Sequence, residues 1–125
     1  MKTRIYLVEN NPWVSQALIE VIEESGGAKV IGLSASEFDA CNWFDANEEG
    51  WDVAVVDLCL DKGSGLQVIR RMRKASTQKV VVLTNYATNA MREFCISSGA
   101  DKFFDKTSEL DQFTQYIGQG SRRTN

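Results

Sequence analysis

Five polar side chains in this chain stand at the ends of short apolar runs. Glu9 and Asn10 follow Arg4 to Val8, Asp57 follows Val53 to Val56, Thr84 closes Lys79 to Leu83, and Lys106 follows Asp101 to Asp105. Two carboxylates and an amide are hard oxygen donors, a set that suits Mg²⁺ with several retained waters. A hydroxyl and an ammonium suit phosphate oxygens. Together they describe an in-line phosphoryl-transfer site in which the metal and Lys106 neutralise charge and Asp57 attacks. Each residue alone has an ordinary reading. Lys106 is a solvated cation, Thr84 a strand-end hydroxyl, and Glu9-Asn10-Asn11 a turn. Asp57, judged on its own stretch, divides evenly between a ligand-binding acid and a cap for the next helix. What favours chemistry is that the residues share one kind of place.

That place depends on the elements that carry them. Val53 to Val56 is apolar and mostly β-branched without a break, as in a strand buried on both faces, and Lys79 to Thr84 repeats the pattern. Arg4 to Val8, Lys29 to Leu33 and Asp101 to Asp105 supply three more strands. Helices alternate with them. Asn11-Pro12 opens the first, with Val14, Ala17, Leu18, Val21 and Ile22 at helical spacing before Gly26-Gly27. Ser36 caps a second helix that reaches to about Glu48, with Phe38, Cys41 and Trp43 or Phe44 facing inward. Leu66, Ile69 and Met72 mark the third. Thr88 or Asn89 opens the fourth, with Met91, Phe94 and Cys95, and Ser98-Gly99 closes it. Thr107 or Ser108 caps the fifth, with Leu110, Phe113, Tyr116 and Ile117. Such alternation predicts an α/β fold, a doubly wound five-stranded parallel sheet with helices on both faces. In such sheets ligands bind outside the carboxyl ends of the strands, where these residues fall.

Composition narrows the classes. The chain has 125 residues, 43% of them hydrophobic and 25% charged, as expected of one globular domain. A net charge of −3 gives no electrostatic case for nucleic acid binding by this segment. No run is long and apolar enough to span a membrane, and the N-terminus lacks a secretory pattern, so a cytoplasmic protein is expected. There is no histidine, which excludes His metal sites, Ser-His-Asp chemistry and a phosphohistidine on this chain. Cys41, Cys59 and Cys95 lack metal spacing and read as reduced, mostly buried thiols.

From Arg4 to Gly118 the chain resembles the receiver domain of two-component response regulators. The matching pieces are Leu-Val-Glu9-Asn10-Asn11-Pro, Asp52-Val-Ala-Val-Val-Asp57-Leu-Cys-Leu, Gly63-Ser-Gly65, Val-Val-Val-Leu-Thr84-Asn85 and Gly99-Ala-Asp-Lys-Phe103-Phe-Asp-Lys106. The resemblance implies a flavodoxin-like sheet of order 2-1-3-4-5. It implies that Asp57 accepts a phosphoryl group from a phosphohistidine on a histidine kinase or phosphotransfer protein. Thr84 would be the switch hydroxyl, Lys106 the phosphate-binding lysine and Phe103 the aromatic switch. Mg²⁺ would be held by Glu9, Asn10, Asp57 and the backbone carbonyl of Cys59. Cys59 and Tyr86 would flank the acyl phosphate. The surface of the fourth helix, fifth strand and fifth helix would change and dock an effector or a second copy. The domain is expected over 1–118, with 119–125 a polar tail or the start of a linker. The sequence then reads as a stand-alone receiver or one part of a longer regulator.

Three departures modify these expectations. Receivers usually carry two acids where this chain has Glu9-Asn10, so a weaker Mg²⁺ site is expected. Thr107 replaces the proline often found after the lysine, so the Lys106 peptide should be trans. Tyr86 is bulky enough to shield an acyl phosphate and slow its hydrolysis. The competing readings are a phosphorylation-independent interaction module, an aspartyl phosphatase, which would have a second Asp where Cys59 stands, and a flavodoxin, whose phosphate loop is richer in Ser, Thr and Gly. A signalling switch is expected rather than a turnover enzyme.

Overall fold

Every residue of Val53–Val56 is buried, and this short strand is the axis of the molecule. In the computed structural model, which describes residues 1–24 and 26–120, it is β3 of a sheet ordered β2-β1-β3-β4-β5. The other strands are β1 (Thr3–Val8), β2 (Ala28–Ser34), β4 (Lys79–Thr84) and β5 (Lys102–Asp105), and every pairing is parallel. The crossovers are α1 (Pro12–Glu23), α2 (Glu37–Ala46), α3 (Gly65–Arg71) and α4 (Asn89–Ser97), with α5 (Leu110–Gly120) closing the chain. The order 2-1-3-4-5 is the one expected.

Alternation along each strand divides the core in two. Ile5, Leu7, Val53, Val55, Val81 and Leu83 pack against Leu18 and Ile22 of α1 and Phe113, Tyr116 and Ile117 of α5. Tyr6, Val8, Ala54, Val56, Val80 and Val82 face Ala40, Cys41 and Phe44 of α2, Val68 and Ile69 of α3, and Cys95 of α4. This second layer is aromatic. Tyr6 stacks on Trp43 with ring centroids 3.8 Å apart, and Phe44 stands edge-on to Tyr6, Trp43 and Trp51. The Tyr6 ring leaves no room for a Cβ on Gly32, and the register slips beside it, with Ile5 opposite Val30 and Tyr6 opposite Gly32. The Tyr6 hydroxyl is hydrogen-bonded to Ser34.

The helix starts follow their caps. Asn11 Oδ1 accepts from the amides of Trp13 and Val14, Ser36 Oγ from Asp39, and Thr88 Oγ1 from Met91. Three expectations are corrected. Phe38 is 74% exposed: Ala40, Cys41 and Phe44 form the buried stripe, and Phe38 lies about a third of a turn from its centre. α5 starts at Leu110, so neither Thr107 nor Ser108 stands at its N-cap, and the turn before it is held by the Asp105 carboxylate, which accepts from the amides of both residues. Finally, α2 stops at Ala46, and α5 runs two residues beyond the expected boundary to Gly120. The remainder of the expected tail, 121–125, lies outside the described residues.

Candidate functional site

Three loops bring the polar residues together. The parallel register places Val8 beside Val56, so Glu9 and Asp57 emerge next to each other, with the Asp57 amide donating to the Val8 carbonyl. Glu9 is 3% and Asp57 8% exposed. Beside the latter pair, Lys106 Nζ donates to Glu9 Oε1 at 2.7 Å and to Asp57 Oδ2 at 2.9 Å. The remaining carboxylate oxygens also have partners. Glu9 Oε2 accepts from the Asn11 amide at 3.1 Å and Asp57 Oδ1 from the Cys59 amide at 3.2 Å.

This pairing governs the charge of the lysine. Burial pulls the Lys106 ammonium down, but hydrogen bonds to Glu9 and Asp57, together with their charges, outweigh it and raise the pKa above the ordinary lysine value. The ammonium is therefore a fixed cation between two acids at any physiological pH.

The loop after Asp57 is shaped by glycines. The Gly65 amide donates to the Leu58 carbonyl, and a Cβ on Gly65 would collide with the Asp57 carbonyl. Gly63 takes φ +88°, a region that favours glycine, and Glu37 steadies the loop by accepting from the Ser64 amide at 2.9 Å. The turn thus folds tightly over β3 and leaves the Asp57 side chain open on one side.

That side is a cleft of about 350 Å³ walled by Glu9, Asn10, Asp57, Cys59, Asn85 and Lys106, with Asp61 and Val14 at its margin. A larger recess, about 440 Å³, opens at the other end of the strands around Arg4, Asp52 and Gln78. Its Arg4 and Asp52 are paired to each other at 3.1 Å, and it holds no comparable meeting of buried acid and base. Chemistry, not volume, marks the smaller cleft.

Thr84, Phe103 and Tyr86 do not line the cleft. Thr84 is fully buried, its Oγ1 accepts from the Tyr86 amide at 3.2 Å, and its carbonyl accepts from the Lys106 amide. Phe103 is buried, 3% exposed, with its ring in the α2–α4 face of the core. Tyr86 is 60% exposed and is not a wall of the cleft. Cys59 is exposed, whereas Cys41 and Cys95 are buried and burial pushes both thiols up. There are no cis peptide bonds among the described residues, so Lys106–Thr107 is trans.

For a cation, the donor chemistry fits. Asp57, Asn10 and Cys59 line one cleft, and a carboxylate, an amide and a backbone carbonyl offer the hard oxygens that Mg²⁺ prefers. Glu9 brings negative charge, although both its oxygens are already engaged. Among the described residues no three His, Cys, Asp or Glu side chains converge on a metal position.

Several residues that the sequence did not single out also shape the site. Thr107 Oγ1 is 3.2 Å from Asn85 Oδ1, tying together the loops that carry Thr84 and Lys106. Arg92 of α4 donates to the Phe103 carbonyl at 2.7 Å and to Glu109 Oε1 at 3.0 Å. No local pattern announces these pairs, because each joins separate elements of the chain.

Known proteins share this fold. The response regulator receiver domain family matches residues 5–118. The chain is 25% identical over 103 residues to the response regulator UvrY of Escherichia coli O6:H1, covering 82% of this chain and 46% of that protein. It is 31% identical over 110 residues to the virulence transcriptional regulatory protein PhoP of Salmonella typhimurium, covering 87% and 47%. The chain thus spans about half the length of these relatives. Among solved structures, a LuxR-family two-component response regulator from Aurantimonas superposes with a TM-score of 0.82 at 26% identity, covering 96% of this chain and 87% of that one. The receiver domain of Thermotoga maritima CheB gives 0.81 at 18% identity with complete coverage of both, a likeness of fold alone. Sheet order, the acids at the strand ends and the family match lead to one conclusion: this chain belongs to the response regulator receiver domains of two-component systems.

Proposed function

We propose that Asp57 is the phosphoacceptor of a two-component switch, taking a phosphoryl group from a phosphohistidine on a histidine kinase or phosphotransfer protein. The observation that carries this reading is the Lys106 ammonium, 2.9 Å from Asp57 Oδ2 at the floor of an open cleft. In the transfer, an Asp57 oxygen attacks phosphorus in line and a P–O bond forms. The P–N bond breaks, and its electron pair stays on the donor imidazole. Lys106 follows the charge onto the phosphoryl oxygens, and Thr84 Oγ1 turns its hydroxyl hydrogen toward one of them.

Receiver domains generally bind Mg²⁺ at the phosphorylation site. Here Asp57, Asn10 and the Cys59 carbonyl would hold it, with Glu9 adding charge, and it would neutralise the transferring group. Asn10 contributes no charge and Lys106 already occupies both acids, so this site binds Mg²⁺ more weakly than one with two aspartates. The protein works in the cytoplasm as a switch. Transfer changes the α4–β5–α5 face, which meets an effector or a second copy. Tyr86, two residues after Thr84 on the same loop, slows hydrolysis of the acyl phosphate.

The test is intact mass after incubation with acetyl phosphate, with and without Mg²⁺, beside Asp57→Asn. A Mg²⁺-dependent gain of one phosphoryl group, absent in the variant, is expected. The second reading, a module that signals without phosphate, is favoured by the internal neutralisation of Glu9 and Asp57 by Lys106. No gain at any Mg²⁺ concentration would establish it instead.

A further inference from the structure

β5 is an edge strand, and two of its outward backbone groups are closed by one ion pair. Arg92 Nη1 donates to the Phe103 carbonyl at 2.7 Å, and Arg92 Nη2 donates to Glu109 Oε1 at 3.0 Å. That same Glu109 oxygen accepts from the Asp105 amide at 2.9 Å. Residues two apart on a strand point their backbone groups the same way, so the pair meets β5 as a neighbouring strand would. The Arg92 guanidinium also lies over the Phe103 ring, 4.8 Å from its centroid, in cation–π contact.

We propose that Arg92 and Glu109 are positioning residues. They form a latch that keeps the Phe103 ring inward and fixes the peptide leading into Lys106 before any phosphoryl group arrives. Phe103 has no hydroxyl to draw it toward water, is 3% exposed, and is roofed by the guanidinium. For its ring to swing out, Arg92 must first leave. The same latch joins α4 to the residue just before α5 across the strand that delivers Lys106, whose own amide is bonded to the Thr84 carbonyl. Loosening it should therefore disturb both the aromatic residue and the lysine. The effect on Lys106 rests on the proposed phosphoacceptor role of Asp57; the effect on Phe103 does not.

The test uses the protein carrying 4-fluorophenylalanine, with the Phe103 fluorine line assigned through Phe103→Leu. Fluorine spectra, exchange of the Asp105 amide and acetyl phosphate labelling are compared for wild type, Arg92→Ala, Glu109→Ala and Glu109→Gln. Without phosphate, both alanine variants should shift or broaden the Phe103 line and speed Asp105 exchange about tenfold. Glu109→Gln, which retains the accepting oxygen, should stay close to wild type. The maximal labelling rate should fall threefold or more in the alanine variants and recover in Glu109→Gln. An unchanged Phe103 line and unchanged Asp105 exchange in both alanine variants would overturn the latch. Labelling rates that stay equal while the line shifts would remove its hold on Lys106. Wild type that takes no label, with the line shifts intact, would sink the phosphoacceptor reading and leave the latch standing.

Discussion

The ammonium of Lys106 stands between two carboxylates, 2.7 Å from Glu9 Oε1 and 2.9 Å from Asp57 Oδ2. The three side chains are largely withdrawn from water, so their attraction is little screened. Breaking such a pair by removing one partner costs about 3–5 kcal/mol, because a buried charge is left uncompensated. Lys106→Met is accordingly expected to lose about that much stability in urea at pH 7. Mg²⁺, measured by calorimetry, should bind the variant about tenfold more tightly, since the competing cation is gone. Equal Mg²⁺ affinity in both proteins would show that Lys106 and the metal do not share the acids. In wild type the sign at high pH is opposite to that of an acid. Because the Lys106 pKa is raised in the fold, its contribution is complete below the unfolded value, 10.5, and is lost as pH climbs through the folded one.

Gly65 sits where a side chain would strike the Asp57 carbonyl. Gly65→Ala must push the loop away from β3, at a cost of about 1–3 kcal/mol as in other overpacked sites. The expected result is a lower urea midpoint and a several-fold slower acetyl phosphate labelling rate. Retention of both would mean that the loop yields without moving Asp57.

The three thiols differ in access. Cys41 and Cys95 are buried with raised pKa values, whereas Cys59 is exposed on the wall of the cleft. Ellman's reagent should find one fast thiol in the native protein and three after denaturation. Loss of the fast class in Cys59→Ser assigns it, and alkylation of Cys59 should block labelling of Asp57.

The turn into α5 is sensitive to acid. The Asp105 carboxyl is held below its usual range chiefly by the amide of Thr107, and that of Glu109 by the Asp105 amide and then Arg92. A depressed folded pKa contributes stability above the unfolded value, 3.8 for Asp105 and 4.5 for Glu109, and that contribution fades as pH falls through the folded value. Glu109 is largely solvated, so its share is under about 1 kcal/mol. The gap in urea midpoint between wild type and Glu109→Gln should be present at pH 7 and close below about pH 4. A gap independent of pH would place the effect in side-chain shape, not charge.

Much of this was legible before any coordinates. The unbroken apolar runs Val53–Val56 and Lys79–Thr84 could only be buried strands, and Asn11-Pro12, Ser36 and Thr88 capped the helices expected of them. Parallel strands then carried Glu9, Asp57, Thr84 and Lys106 to one end. The sequence is silent about pairings between distant loops. Nothing local shows that Glu9 would meet Lys106, or that Arg92 would lie over Phe103. Phe38 misled because an aromatic near a helix start suggests burial, while the buried stripe is decided by the whole turn that follows.

The tryptophans have their own consequence. Trp51 is sealed in the core at 1% exposure, edge-on to Phe44, and Trp43 is stacked on Tyr6. Trp13 is 85% exposed and immediately precedes Val14 at the margin of the cleft. One chain therefore contains an emitter in oil and an emitter in water, the second at the threshold of the acid pair. Acrylamide quenches Trp13 most, half-buried Trp43 less and Trp51 least, so fluorescence separates what happens at the mouth of the site from what happens to the fold.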